Sequence, residues 1–461
     1  MLNFQDIQRL HPAGVAVLLV AILATFLLDR RYLVILFVAM LSIAPMGQRF
    51  VVMGLDFPFS RILVLAIVAR ILFWKLAAPD RLRLPDVMVI AWFIWSAVAQ
   101  GLLHGELKPV ITRLGYGVDA IGAYYIGRSL IDSRMTFGNL AGGVAACAIL
   151  VAPAFFVEWS TGRNMFAAFG GVPETTIVRD GRLRCQGPFT HPIMAGLFWG
   201  IWIPVILSWR AMETRQARRI FALAGVGAVV GIVFFTSSST PVMAVLIGGG
   251  IFALYRWRKS TAIAVASIGL AMIPLHFMME KGILHLLARV NVISGSTGWH
   301  RYHLMDQAIA NIGEWWAVGI QYTGHWGLGL GDVTNQFILE GVRGGLLSLL
   351  LFVAFWWTIL KRVVAEASRD ESTDPLFWGI FASLMAMFLS FIGVSIFGTV
   401  IPETFLLLGA SVTLAARSAS RVEAGAARPS NGPHPAPRGG VANGGTGILP
   451  GMNRMQGESR S

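Results

Sequence analysis

The sequence predicts an all-α polytopic membrane protein: a bundle of about 12–14 transmembrane helices with a long extracytoplasmic loop containing short amphipathic helices. Three observations carry that expectation. Of 461 residues only 13% are charged and 55% are hydrophobic, against about 25% charged in a soluble domain, and the mean hydropathy is +0.66. Apolar runs of about 16–24 residues, separated by short charged or Gly/Pro-containing breaks, match the length a helix needs to cross about 30 Å of hydrocarbon. The alternating segments of about 10 residues that a closed β-barrel would show are missing.

The first run, 12–28, resembles a signal peptide in length. It lacks a basic leader, however, and passes directly into Asp29-Arg30-Arg31 and further apolar sequence, so it reads as a retained span. The following runs are 32–45, 59–74, 87–103, 114–131, 137–156, 193–209, 220–235, 242–255, 261–278, 336–360, 376–396 and 404–416. Basic clusters at Arg30/Arg31, Lys75/Arg81/Arg83, Arg134, Arg210/Arg215/Arg218/Arg219, Arg256/Arg258/Lys259 and Lys361/Arg362/Arg369 fall on one side under this assignment. The positive-inside rule makes that side the cytoplasm and places the N-terminus outside.

Residues 1–416 thus form a multi-span membrane domain with extracytoplasmic loops at 157–192 and 280–332. Residues 417–461 are rich in Gly, Pro, Ala, Asn, Ser and Arg without periodicity. They are expected to be a disordered basic cytoplasmic tail, able to touch anionic lipid. The net charge of +13 is scattered over helix ends rather than gathered into an aromatic-flanked patch, which argues against nucleic acid as a partner. Cys147 and Cys185 offer neither a disulfide framework nor a metal-ligand spacing. No internal repeat points to an inverted-repeat transporter.

Two outward constellations carry the candidate chemistry. The first is Arg179-Asp180-Gly181-Arg182-Leu183-Arg184-Cys185-Gln186-Gly187-Pro188-Phe189-Thr190-His191-Pro192. Arginine is disfavoured in short translocated loops, so three within six residues need a cause. A phosphate-bearing ligand supplies one, because guanidinium binds phosphate oxygens through paired donors and stays charged; anionic headgroups, or pairing with Asp180 and Glu174, supply another. The second constellation opens at Trp299-His300-Arg301-Tyr302-His303. Leu304, Ala308, Ile312 and Trp315/Trp316 recur at helical spacing, predicting an amphipathic helix over 302–316 with its stripe toward lipid or the bundle. His300 and His303 are either interfacial or part of the site, and their spacing alone is a weak metal signal. Within the spans, Asp119 is either functional or paired with Arg113, and Arg61 and Glu403 could line the same cavity.

These elements, in this order, resemble the O-antigen ligase and polysaccharide polymerase superfamily of bacterial inner-membrane proteins. Arg184 to Pro192 is similar to its R-x-x-G-x-F-x-H-P element, and Arg301 followed by Gly319 is similar to its arginine helix and glycine turn. Thr334-Asn335-Gln336-Phe337-Ile338-Leu339-Glu340-Gly341-Val342-Arg343-Gly344-Gly345 resembles the element that opens the next span. The resemblance covers roughly residues 30–415. It implies a glycosyltransferase that polymerises undecaprenyl-pyrophosphate-linked repeat units at the periplasmic face of the inner membrane, with no cofactor or metal. Its partners would be the lipid-linked donor, a glycan acceptor, membrane lipids, and a flippase and chain-length regulator. A ligase joining glycan to lipid A-core or protein, and a transporter or flippase without chemistry, are the alternatives.

Carried over onto this sequence, the resemblance assigns pyrophosphate binding to Arg179, Arg182, Arg184, His191, Arg301, Asn335 and Arg343. It assigns catalysis to Arg301, His303, Asp332 and Glu340. Where the ligase pattern has a histidine thought to be the base, this chain has Thr334, so the base falls to Asp332, Glu340, His325 or His303, or positioning alone suffices. That departure favours the polymerase over the ligase.

Overall fold

The computed structural model describes residues 10–52, 54–76, 81–260, 267, 271, 274, 298–369 and 375–426. Every apolar run expected among these residues coincides with a helix. The run expected at 261–278 lies outside the described residues, apart from three single positions. Among the described residues, seven helices are long and apolar enough to cross a membrane: Leu84–His104, Arg134–Thr161, Pro192–Met212, Gln216–Phe235, Ser239–Ser260, Gln336–Ala367 and Val400–Ser420. Pro12–Leu27 and Leu376–Ser390 are shorter apolar helices. The remaining runs form Leu33–Ile43, Phe59–Phe73 and Leu107–Leu130.

Local chemistry sets many of the boundaries. Ser133 caps the Arg134–Thr161 helix by accepting from Thr136 N at 3.2 Å, and Gly162 ends it at φ +71°, a conformation glycine adopts without steric cost. Pro192–Met212 is interrupted between Gly200 and Ile203. Pro204 has no N–H to offer the carbonyl four residues earlier, which explains the break.

The helices interlock through an aromatic core and paired charges. Trp92 stacks on Phe405 with ring centroids 5.8 Å apart, and Phe355 also stacks on Phe405, at 5.9 Å. Arg61 pairs with Asp119 at 2.6 Å, Arg128 with Asp86 at 2.8 Å, and Arg113 with Glu340 at 2.9 Å. Buried charges persist when paired and hydrogen-bonded, as these are. Asp119 therefore pairs with Arg61 from a neighbouring helix, and the expected local pair with Arg113 does not form.

The Gln336–Ala367 helix is broken inside. Gly344 and Gly345 leave helical geometry, Gly345 at φ +71°, and the freed groups find partners elsewhere. Val342 O accepts from Ile320 N at 2.7 Å, and Leu346 N donates to Trp316 O at 2.7 Å. Gly344 O accepts from Trp95 Nε1 at 2.7 Å, and Arg343 O from Gln100 Nε2 at 2.6 Å. A Cβ on Gly345 would overlap Ala317 O, and one on Gly319 would overlap Val342 O. Two glycines thus permit one backbone to lie directly on another.

Three boundaries depart from expectation. The loop expected from 157 begins only after Thr161. The amphipathic stretch is two helices, Gly298–Ala310 and Ile312–Trp315; Leu304, Ala308 and Trp315 bury against Trp326, Leu330, Val333 and Val342, while Ile312 and Trp316 stay exposed, so only part of the stripe faces protein. The last helix continues to Ala426, ten residues into the expected tail, because Ala and Arg there sustain a helix as readily as a coil. The tail from 427 on lies outside the described residues. The described residues up to Ser420 form one compact unit.

Candidate functional site

The arginine-rich segment folds as a β-hairpin, Ile177–Arg179 against Arg182–Arg184. Asp180 and Gly181 both have positive φ, +52° and +72°, the geometry a two-residue hairpin turn demands. The register pairs Arg179 with Arg182 and Ile177 with Arg184. Since directly opposed residues share a face, all three arginines lie on one side of the hairpin. Arg179 and Arg182 are exposed, and Arg179 lies 3.8 Å from Asp180, an exposed pair of little energetic weight.

Arg184 points inward and donates to Ser238 Oγ at 2.8 Å. Arg301, from the Gly298–Ala310 helix, donates to Thr240 Oγ1 at 3.1 Å. Two arginines 117 positions apart therefore anchor two residues from each other at the start of the Ser239–Ala253 helix, Ser238 being its N-cap and Thr240 lying in its first turn. Both keep a buried Nε without a hydrogen-bond partner, and neither forms an ion pair with a carboxylate among the described residues. Burial, and then the nearby Arg179 charge, hold the Arg184 guanidinium below its ordinary pKa; burial does the same to Arg301. Desolvated cations with spare donors form a receptive site for an anion.

A buried carboxylate holds the segment that carries Arg184. Glu158, 1% exposed, accepts from Gln186 N and Gly187 N, both at 2.9 Å, and from Thr176 Oγ1 at 3.0 Å. Cys185 N donates to Phe235 O at 3.1 Å, and Asn164 Nδ2 to Gly187 O at 2.7 Å. Gly187 has φ +54°, and a side chain there would press on Phe155, so the segment accepts no other residue without strain. Glu158 was legible only as a lone acid closing an apolar run.

His191 caps the Pro192–Gly200 helix, its Nδ1 accepting from Ile193 N at 3.1 Å. Burial, then the Arg184 and Arg179 charges, lower its pKa to about 4, which keeps that nitrogen an acceptor at neutral pH. Its ring lies edge-on to Phe397 at 6.4 Å. Phe397 belongs to the 391–399 loop, which joins two halves of the site. A Cβ on Gly393 would stand 3.4 Å from the Arg301 guanidinium, while Ser395, Ile396 and Phe397 line a cavity of about 440 Å³. Asp332 and Arg343 line that cavity too, together with Tyr116 and Tyr322.

Two expected site residues are committed elsewhere. Glu340, 1% exposed, receives Arg113 Nη2 and Trp92 Nε1 at 2.9 Å and Gln336 Nε2 at 2.8 Å. A carboxylate held by three donors inside the bundle is an inter-helix tie, not a base. Asn335 caps its helix by accepting from Phe337 N and Ile338 N at 2.9 and 3.1 Å, and it donates to Ile392 O at 3.0 Å. That uses both Oδ1 lone pairs and one of the two Nδ2 hydrogens, and it docks the third motif against the loop that carries Gly393. His325 bonds Glu314 at 2.8 Å, and the neighbouring Trp326 N–H and His325 lower the Glu314 pKa. His303 stacks on Trp299 at 4.8 Å. Arg61 and Glu403 do not line the cavity; Glu403 instead accepts from Trp202 Nε1.

Neither a protein-family model nor, at a significant level, a curated protein matches this chain. The functional reading therefore rests on geometry. Three separated sequence motifs meet around one helix start and one loop: Arg184 and Arg301 on Ser238 and Thr240, and the loop that touches Arg301 and His191 and lines the cavity of Asp332 and Arg343. Among the described residues, no three His, Cys, Asp or Glu side chains gather as a metal-binding group.

Proposed function

We propose that this chain is an inner-membrane glycosyltransferase that joins undecaprenyl-pyrophosphate-linked repeat units into exopolysaccharide or O-antigen at the periplasmic face. The observation that carries the reading is the convergence of Arg184 and Arg301 on Ser238 and Thr240, each with spare donors and no carboxylate partner among the described residues. In the reaction, an acceptor hydroxyl oxygen bonds to the anomeric carbon of the donor sugar. The bond from that carbon to the lipid pyrophosphate breaks, and its electron pair leaves on the pyrophosphate.

Charge accumulates on the departing phosphate oxygens, and a preorganised donor aimed there is worth about 3 kcal/mol, roughly a hundredfold in rate. Arg184 and Arg301 are placed for that task, with Arg179 and Arg182 on the same hairpin face guiding the anion inward. The acceptor proton goes to a general base. Of the four candidates, Glu340 is occupied and His325 is bonded to Glu314, and Asp332 alone lines the cavity. We assign the base role to Asp332.

Reconstitution in liposomes with lipid-linked repeat units tests the proposal: polymer should form and Arg301→Ala should abolish it. Single units left intact by the native chain would refute the transferase. In cells, deletion should leave single repeat units, whereas polymer that persists but stays unattached would make the chain a ligase.

A further inference from the structure

We infer that the cavity beside the arginine pair is a saccharide site that selects a carboxylate-bearing sugar, with Arg343 reading the acid group. This deepens the transferase reading and rests on it for the cavity's role as the acceptor site. At about 440 Å³, the cavity falls in the range of small-molecule sites. Its walls combine the rings of Tyr116, Tyr322 and Phe397 with the polar groups of Thr323, Asp332 and Arg343. Flat rings beside a few donors and acceptors suit a pyranose, which has apolar C–H faces and a polar rim.

The charge pattern specifies the sugar further. Arg343 and Asp332 are the two charged residues in the walls, and among the described residues they form no ion pair with each other. The Arg343 side chain has no hydrogen bond or ion-pair partner among the described residues either. Its neighbours do not supply a counter-ion, because Glu340 is already neutralised by Arg113 at 2.9 Å. Asp332 is free to accept from sugar hydroxyls while Arg343 lacks an anion, and a carboxylate is the group that matches its planar, paired donors. The Tyr116 hydroxyl is buried without a partner, which adds a second donor for the same ligand.

The Arg343 guanidinium also stands on rigid backbone. It is carried at the helix break, where Arg343 O and Gly344 O accept from Gln100 and Trp95, so the main chain from which the exposed side chain reaches the cavity is held in place. Arg184 and Arg301 are not among the cavity's walls. The pyrophosphate and the acid sugar therefore have separate cations, and the earlier assignment of Arg343 to pyrophosphate is revised.

The test uses the full chain in lipid nanodiscs, with a tetragalacturonate and a neutral maltotetraose as probes and inorganic pyrophosphate as competitor. The uronate should bind at least tenfold tighter than the neutral glycan. Arg343→Ala should erase that preference, Arg343→Lys should keep part of it, and Arg184→Ala should leave it unchanged. Equal binding of the two glycans to the native chain would overturn the inference. So would a preference that survives both Arg343 substitutions, or uronate binding that pyrophosphate abolishes through Arg343. Should Arg343→Ala fail to fold, Arg343→Lys and Tyr322→Ala carry the test, since each should lower uronate affinity. Uronate binding without any glycan transfer would uphold this site and remove the transferase; transfer indifferent to Arg343 would do the reverse.

Discussion

The Arg113 guanidinium lies 2.9 Å from the Glu340 carboxylate, and both side chains are almost wholly buried, at 5% and 1% exposure. Arg113 also sits over the Trp92 and Tyr116 rings, at 4.9 and 4.6 Å. Removing one partner of such a pair strands the other, at a cost of about 3–5 kcal/mol. Glu340→Ala and Arg113→Ala should each lower thermal stability strongly in detergent, while Arg113→Met combined with Glu340→Leu should recover much of it. Glycan transfer by that double variant, at a rate near the native one, would confirm that Glu340 is a tie between helices.

Alanine at Arg184 or Arg301 should reduce polymerisation by about a hundredfold or more with membrane insertion intact. Lysine should rescue poorly, because it lacks the planar paired donors. The two losses should not multiply in the double variant, since both arginines act on one departing group. Single-turnover rates in reconstituted vesicles measure this.

Glu158 should behave as a fastener of the arginine segment. Glu158→Ala orphans Gln186 N and Gly187 N, and each stranded buried donor costs about 1–3 kcal/mol. The expected outcome is faster proteolysis within 176–190 and a large drop in activity, although Glu158 touches no ligand. Retained activity with unchanged proteolysis would contradict this role.

His191 gives a pH dependence of definite sign. Its folded pKa is lowered to about 4 by burial and then by Arg184 and Arg179, below the ordinary value of about 6.5. The unfolded chain therefore binds more protons in that window, and stability should fall as pH drops from about 6.5 to about 4. Above that window the contribution is fully present. Comparing thermal unfolding of native protein and His191→Asn at pH 7 and pH 5 checks it: the variant should lose less on acidification.

The helices were legible because a membrane span writes itself as an uninterrupted apolar run. The pairing of charges within them was not: Asp119 has Arg113 on its own helix, yet meets Arg61 across the bundle. Which acid meets which arginine depends on helix rotation and neighbour choice, and neither leaves a trace at the level of composition. The same holds at the site. The Arg179–His191 segment and Arg301 stood out in the sequence, but nothing in it marked the helix start at Ser238–Thr240 as the place that receives Arg184 and Arg301. Glu340 and Asn335 stood out for their chemical type and proved to be spent on packing. Residue type announces what a side chain can do, and only the fold decides whether its donors and acceptors are already used.

Gly319→Ala and Gly345→Ala should each destabilise the chain, because the added methyl meets backbone, which cannot swing aside as a side chain can. Strain of this kind costs about 1–3 kcal/mol at a minimum. Gly313→Ala, where nothing lies within contact distance, should be silent, and folded yield after solubilisation separates the three.

The helix break at Gly344–Gly345 also bears on the order in which the chain is made. Its freed carbonyl and N–H groups are satisfied by Ile320 N and Trp316 O, which leave the ribosome before the helix itself. When the Gln336–Ala367 segment enters the bilayer, the backbone that completes it has already been synthesised. A circular permutant opened between residues 321 and 335 would reverse that order, and its broken helix would have to insert with bare polar backbone in hydrocarbon.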